Sequence, residues 1–183
     1  VTLTALGPHS IAISADPTHV EAGGGPQGRS IVTATVRDMY SNPVPGVLVT
    51  FASNIYGSVA PSIDTTSAAG EATTIFTSGP LLGTAVVTAT AGVTLTTATN
   101  ITVTAGAVCT GSMTIAAVPA GLPANGVATS TITVAMTDCW GNPVSDGTMV
   151  GFVTTLGTIL NYEYIEAESV AVAKSPGWTA VAD

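Results

Sequence analysis

The sequence predicts an all-β protein built from antiparallel β-sandwiches, and its composition, its hydropathy and an internal repeat lead to that prediction. Thr, Ala and Val fill 80 of the 183 positions, as 31, 27 and 22 residues. Thr and Val are β-branched and suit a pleated sheet. Apolar residues make up 46% of the chain, which favours a packed core over disorder. No stretch shows a convincing amphipathic helix pattern.

Charged residues are scarce, and this excludes two kinds of partner. The chain has 3 basic and 11 acidic side chains and a net charge of −8. So few cations cannot neutralise a phosphate backbone or form a polybasic membrane anchor, so we expect no nucleic-acid partner. No charge lies between Glu71 and Asp138, but polar residues, Gly and Pro interrupt every apolar run well before the roughly 18 residues of a spanning helix. We therefore expect no membrane insertion in this segment.

The chain repeats itself at a shift of about 100 residues. The matching segments are 38–44 with 138–144, 10–17 with 112–119, and 1–5 with 101–105. Since 101–105 would close the first repeat, 1–5 would close a repeat before it. We expect residues 1–7 to be that closing strand, or a donor strand, followed by a first domain at 8–106. A second domain at 107–183 would then be incomplete at its C-terminal end.

The first domain shows short alternating runs between turn residues, at the spacing of a sandwich. The predicted strands are Ile11–Ala15, Ser30–Arg37, Val47–Phe51, Ala72–Phe76, Thr84–Ala91 and Val93–Thr104. Asn42-Pro43 and Pro45-Gly46 predict a turn, because Pro fixes φ and Gly tolerates positive φ. Residues 23–28 predict a flexible loop, and they lack the Lys-Ser/Thr ending of a phosphate-binding loop.

One combination of these features resembles a known family. An alternating strand ends in Asp, an Asn-Pro-Val turn follows, the next strand closes on Phe51, and an Ala-Gly-Glu-Ala turn comes at 69–72. This pattern is similar to the group 1 bacterial immunoglobulin-like domain found in tandem in invasin and intimin adhesins. It covers nearly all of the first repeat and 111–157 of the second, and it fails over 161–183. The resemblance implies tandem immunoglobulin-like sandwiches that form a cell-surface rod without chemistry of their own.

The two cysteines, Cys109 and Cys139, both fall in the second repeat. The repeat alignment places Cys109 just before the first strand and Cys139 just after the second. These strands would be antiparallel neighbours, so both thiols would lie at the same end. We predict a disulfide that closes a loop of about 30 residues, stabilises by roughly 3–4 kcal/mol and implies an oxidising compartment. Two unpaired thiols, or a zinc site that would need further ligands, are the alternatives.

No catalytic, cofactor-binding or metal-binding residue is predicted, so we expect neither an enzyme nor a cofactor. The histidines, His9 and His19, accompany no nucleophile elbow and no His-Glu-x-x-His motif. The acidic groups considered are Glu163, Glu166 and Glu168, and, at the domain junction, Asp16, Glu21 and Asp38. Neither group has the spacing of an EF-hand loop, and Ca²⁺ needs six to eight oxygens. We interpret them as solvated carboxylates, with a cation site as the alternative.

Three further residue patterns predict structural roles or a modification site. Asp38 and Asp138 each precede an Asn-Pro turn and are predicted to cap its N–H groups. Trp140 occupies the position of Tyr40, and we expect these rings to pack on the turn rather than form a ligand platform. Asn100 begins the sequon Asn-Ile-Thr and is a candidate N-glycosylation site.

The leading hypothesis is a structural, non-catalytic repeat module of an extracellular cell-surface protein: an adhesin stalk, a surface filament or a surface layer. Its partners would be neighbouring copies or repeats of the same protein. In a first alternative, a filament subunit would assemble head to tail by strand addition, with a donor strand formed by Val1, Thr2, Leu3, Thr4, Ala5 and Leu6. In a second, an adhesin domain would bind a host or cell-surface receptor or a glycan through Tyr162, Tyr164 and Trp178.

Overall fold

The computed structural model describes residues 6–92, 94–144, 148–165 and 168–174, with side chains described as far as residue 159. The chain divides into two compact units, Val1–Thr104 and Ala105–Asp183. Strands dominate both units, which confirms the predicted all-β class. The finer subdivision at residues 7 and 106, and the incompleteness of the second domain, stay predictions.

Unit 1 is a sandwich of two sheets. Its described strands are β1 (Ser10–Asp16), β2 (His19–Glu21), β3 (Arg29–Arg37), β4 (Leu48–Ser53), β5 (Gly57–Ala60), β6 (Ile63–Thr65), β7 (Glu71–Ser78), β8 (Gly83–Ala91) and β9 (Leu95–Thr104). One sheet has the order β1-β3-β7-β5 and the other the order β2-β9-β8-β4-β6. All paired neighbours are antiparallel except β2 and β9, which run parallel.

The core of unit 1 comes from strict alternation along the central strands. On β3, Val32, Ala34 and Val36 are fully buried, whereas their neighbours along the strand are more exposed. β7 pairs with β3 and places Phe76 in the same layer, where it is the largest fully buried side chain. Because successive side chains of a strand point to opposite faces, one face of each strand fills the space between the sheets.

The structure contains all six predicted strands of unit 1, and each strand end either agrees with the prediction or differs from it by one or two residues. Val93, the predicted first residue of the last strand, lies outside the described residues. The prediction missed β2, β5 and β6, which are three or four residues long and lie at sheet edges. Within the predicted flexible loop 23–28, residues Pro26–Gly28 form a single 3-10 turn.

Unit 2 has one described sheet, formed by β10 (Thr114–Val118), β11 (Thr129–Ala135), β12 (Thr158–Ile165) and β13 (Glu168–Lys174) in the order β10-β11-β13-β12. Ala135 of β11 pairs with Glu168 of β13, just as Thr35 of β3 pairs with Glu71 of β7. β13 therefore takes the place of β7. The sequence resemblance ends near residue 157, but the strand pairing continues to Lys174.

A small core anchors β11 to the residues that follow it. Val134, Met136 and Val144 are buried, and Val150 and Phe152 pack against them while partly buried. In the repeat alignment, Phe152 corresponds to Phe51, which is buried on β4 of unit 1. The same hydrophobic positions therefore organise the start of both units.

Candidate functional site

A tight turn follows the second long strand of each unit, at residues 38–44 in unit 1 and 138–144 in unit 2; we call it the Asp turn. In unit 1, the Asp38 N–H donates to the Asn42 carbonyl at 3.0 Å, and the Ser41 N–H donates to the Asp38 carbonyl at 3.0 Å. Ser41 has a φ of 65°, and Gly141 has a φ of 84° at the same place in unit 2. The turn needs left-handed backbone there, which Gly adopts without a steric cost.

The Asp38 side chain organises this turn. Its Oδ1 accepts hydrogen bonds from the N–H groups of Tyr40 and Asn42, both at 2.9 Å. Its Oδ2 accepts the Asn42 side-chain amide at 3.1 Å and the Leu6 N–H at 3.1 Å. The first three bonds are the predicted local cap. The fourth reaches 32 residues back along the chain and holds the segment that leads into the unit.

Asp138 makes the same set of bonds in unit 2. Its Oδ1 accepts from Trp140 N–H at 2.8 Å and Asn142 N–H at 2.9 Å, and its Oδ2 accepts from the Asn142 side chain at 2.9 Å. The Gly106 N–H also donates to Oδ2, at 3.3 Å and again from 32 residues upstream. We call residues 6–9 and 106–109 the lead-in segments. Each lead-in segment is thus held by the Asp turn of its own unit.

Both carboxylates are buried, and both have a lowered pKa, so they are ionised at neutral pH. Burial would raise the pKa of Asp38, but the Asn42 side chain and the N–H groups of Asn42, Leu6 and Tyr40 together outweigh it and hold the pKa below its ordinary value. The pKa of Asp138 is lowered by the equivalent donors of unit 2, again against burial. A carboxylate has about four acceptor positions, and four donors occupy them here, so these groups are suited to hold backbone rather than to abstract protons.

Thr66 supports the far end of the Asp turn in unit 1, a role that the sequence did not predict. Its buried hydroxyl donates to the Val44 carbonyl at 2.7 Å and accepts the Val47 N–H at 2.8 Å. A single threonine among 31 carries no local signal for such a role, because both partners are about 20 residues away. Only the fold brings them together.

The predicted disulfide between Cys109 and Cys139 is present, and no described cysteine is free. The Cα atoms lie 4.7 Å apart and the residues are 30 positions apart in sequence. The bond joins the last residue of the lead-in segment to the second residue of the Asp turn. Cys109 is also held through its N–H, which donates to the Thr137 carbonyl at 3.0 Å.

Among the candidates whose side chains the structure describes, the histidines and the acidic residues form no metal-binding group. His9 and His19 are exposed, and the Thr18 hydroxyl contacts the His19 Nδ1 at 3.2 Å. Over the described ranges, no group of three or more His, Cys, Asp or Glu side chains is placed to hold a metal ion. Asn100 is exposed on β9, so its glycosylation stays a prediction.

Other expectations stay untested or fall outside the described chain. Tyr40 and Trp140 are 69% and 56% exposed, and the packing of their rings on the turns stays a prediction. The backbones of Glu163 and Glu168 lie in paired strands, where they face Val170 and Ile165. The remaining candidates, Val1 to Ala5, Glu166 and Trp178, lie outside the described residues.

An open groove of about 390 Å³ lies on unit 1, lined by Ile31, Pro61, Asp64, Thr73, Thr74 and Ile75. Its one ionisable side chain, Asp64, accepts the N–H groups of Thr65 and Thr73, both at 2.8 Å. These two bonds lower the pKa of Asp64. The groove therefore presents aliphatic surface beside an ionised carboxylate and carries no nucleophile paired with a base.

The fold and its repeated Asp turns define a class of protein, the tandem immunoglobulin-like β-sandwich modules. Residues 7–106 match the family described as invasin, domain 3, and because the match spans more than half of the chain, the chain belongs to that family. No curated protein matches the sequence. Among the described residues, no helix has the length and apolarity needed to cross a membrane.

Solved structures of bacterial proteins share the fold. The Escherichia coli adhesin FdeC is similar with a TM-score of 0.69 and 20% identity, over 97% of this chain and 59% of that one. InvD of Yersinia pseudotuberculosis has a TM-score of 0.59 and 25% identity, over 90% of this chain and 49% of that one. Invasin, described as a bacterial integrin-binding protein, has a TM-score of 0.50 and 25% identity, over 93% and 34%. The chain thus spans less than two thirds of each relative.

Proposed function

We propose that this chain is a spacer in an extracellular cell-surface adhesin, a structural module that carries a binding region away from the cell. The observation that supports this most directly is the repeated Asp turn. Two tandem units use the same four hydrogen bonds at this turn, and the fourth, at the same spacing of 32 residues, holds the chain segment that leads into each unit. Such a repeated device serves the connection between modules rather than a reaction.

Three other properties suit a spacer outside the cell. Antiparallel sandwiches resist extension through the hydrogen bonds between their strands. The disulfide indicates an oxidising compartment. With only three basic residues in the chain, trypsin-like proteases find few cleavage sites.

The test is to delete residues 7–106 from the full-length surface protein and to measure both reach and binding. If the module is a spacer, the deletion brings the outermost domain closer to the cell, as measured by labelling with an antibody against that domain. The purified protein should bind its target as before. A matched control replaces 7–106 with an unrelated sandwich of similar length, and it should restore reach. The proposal would be contradicted if the purified deletion protein lost binding and the substitute domain did not restore it.

A filament subunit joined by strand addition is the second candidate, and one observation favours it. Ile11 and Ile13 of β1 pack against the core of unit 1, but their counterparts in unit 2, Met113 and Ile115, are 58% and 69% exposed. An added strand from a neighbouring copy would cover such a surface. Residues 1–6 would supply that strand. Fibres that form in the purified chain and disappear when Leu3 and Leu6 are changed to Asp would support this candidate, and a strictly monomeric chain would exclude it.

Receptor or glycan binding is the third candidate. It is supported by the similarity to invasin, which is described as a bacterial integrin-binding protein. Its test is alanine substitution of Tyr162, Tyr164 and Trp178. Adhesion of cells to the purified chain that persists in the triple variant would exclude these residues as the binding site.

A further inference from the structure

The position of the disulfide in unit 2 has a mechanical consequence. Cys109 lies at the end of the lead-in segment, and from there the chain runs through β10 and β11 and returns to Cys139 in the Asp turn. The two residues are 30 positions apart in sequence, but their Cα atoms are 4.7 Å apart. The bond therefore closes a covalent loop that contains both strands.

Unit 1 has the same backbone arrangement without the covalent bond. The His9 N–H donates to the Arg37 carbonyl at 2.8 Å, as the Cys109 N–H does to the Thr137 carbonyl at 3.0 Å. His9 and Met39 therefore stand where unit 2 has Cys109 and Cys139. The lead-in segment of unit 1 is held to its unit without a covalent bond, through interactions that include the hydrogen bond from Leu6 to Asp38.

Tension along the chain consequently takes different paths in the two units. In unit 2, a pull on the lead-in segment reaches Cys109 and passes through the sulfur atoms to Cys139, because the covalent path is far shorter than the path through the loop. Residues 110–138 then carry no tension. In unit 1, the same pull acts on β1 directly and is opposed only by hydrogen bonds and packing, which are weak individually.

We propose that the Cys109–Cys139 disulfide is a mechanical bypass, which carries tension from the lead-in segment of unit 2 into its Asp turn and leaves β10 and β11 unloaded. Unit 1 lacks the bypass, so β1 is its first element to detach under load. The purpose of the device rests on the proposed function, since only a spacer under tension needs it, but the load path itself is a property of the isolated chain.

The size of the effect follows from chain dimensions. An extended chain spans at most about 3.3–3.6 Å per residue, so a loop of 30 residues stores roughly 100 Å of length that an oxidised chain cannot release. This difference is large enough to measure on single molecules.

The test is force spectroscopy on the whole 183-residue chain, held at its two ends, before and after reduction. The oxidised chain should extend to a final length about 100 Å shorter than the reduced chain or the variant C109S/C139S. The length gained when unit 1 unfolds should be the same in all three. The force at which unit 2 yields should fall when the bond is absent. An equal yielding force with and without the bond would overturn the proposal, because the bond would then carry no load that matters to the fold.

A gain of function in unit 1 tests the same load path without relying on the strength of unit 2. The variant H9C/M39C, oxidised and checked by a free-thiol assay, should raise the yielding force of unit 1 and shorten its length gain by about 100 Å. Its reduced form is the matched control and should behave as the unchanged unit. A yielding force that does not rise after the bond forms would overturn the proposed load path. Surface reach is measured separately, so the spacer function and the bypass can fail independently.

Discussion

Asp38 and Asp138 show how one side chain can connect a local turn to a distant segment. The sequence identified both as caps, because Asp commonly binds N–H groups two to four residues ahead. It did not identify the fourth donor, which is Leu6 in one unit and Gly106 in the other. Any residue except Pro supplies a backbone N–H, so the type of residue does not reveal which one is the donor. The contact becomes visible only when the fold places the lead-in segment beside the turn.

The lowered pKa values predict how stability depends on pH. A carboxylate whose pKa is lower in the folded state than in the unfolded state contributes stability above its ordinary pKa, and this contribution is lost as pH falls through the lowered value. We expect the double variant D38N/D138N to be less stable than the unchanged chain at pH 7. Urea unfolding followed by circular dichroism should show that the difference in the free energy of unfolding between the two proteins becomes smaller as pH falls below about 4. A gap that stays constant down to pH 2 would contradict the role of the ionised carboxylates.

The third residue after the aspartate in each turn gives a matched pair of substitutions. Ser41 adopts a φ of 65°, which costs a residue with a Cβ about 1 kcal/mol or more, and Gly141 adopts a φ of 84° without that cost. We expect S41G to stabilise unit 1 by up to about 1 kcal/mol. The higher conformational entropy of Gly in the unfolded chain offsets part of this gain. G141S should destabilise unit 2 by a similar amount, although a Cβ at that position meets no atom within 4 Å. Thermal melts of both variants provide the check, and destabilisation by S41G would refute the backbone argument.

At the scale of elements, β7 carries the clearest contrast between the two faces of a strand. Phe76 is fully buried between the sheets, and its neighbour Ile75 is 45% exposed on the outer face. We expect F76A to lower the free energy of unfolding of unit 1 by about 3–5 kcal/mol through lost burial and the cavity left behind. I75A is the control and should cost less than about 1 kcal/mol. Denaturant titrations measure both values. If I75A lost as much free energy of unfolding as F76A, the inner and outer faces of β7 would be assigned wrongly.

The same contrast explains which strands the sequence could predict. β3, β7 and β8 each run for eight or nine residues with one face in the core, so their hydrophobic pattern has several periods. β2 and β6 have three residues each, too few to show alternation, and they exist because an adjacent long strand offers hydrogen-bonding partners. In unit 2, β13 keeps the register of β7 with a different sequence. Its place is set by pairing with β11, which a residue pattern does not reveal.

At the scale of the whole molecule, the scarcity of basic residues has a measurable consequence. Trypsin cleaves after Lys and Arg, and the chain offers only Arg29, Arg37 and Lys174. Arg29 and Arg37 are the two ends of β3, which pairs with β1 on one side and β7 on the other. A protease needs an extended, unpaired segment, so cleavage at these two sites requires unit 1 to open.

We therefore expect trypsin to leave the peptide bonds after Arg29 and Arg37 intact in the native chain, and to cut both rapidly in urea. If cleavage follows the open population, its rate in F76A should exceed that of the native chain in proportion to the lost stability, and the rate in I75A should rise by no more than about fivefold. Mass spectrometry of a digestion time course identifies the sites. Rapid native cleavage after Arg29 would show that β7 does not hold the start of β3, and the stable sandwich on which the proposed spacer depends would lose its physical basis.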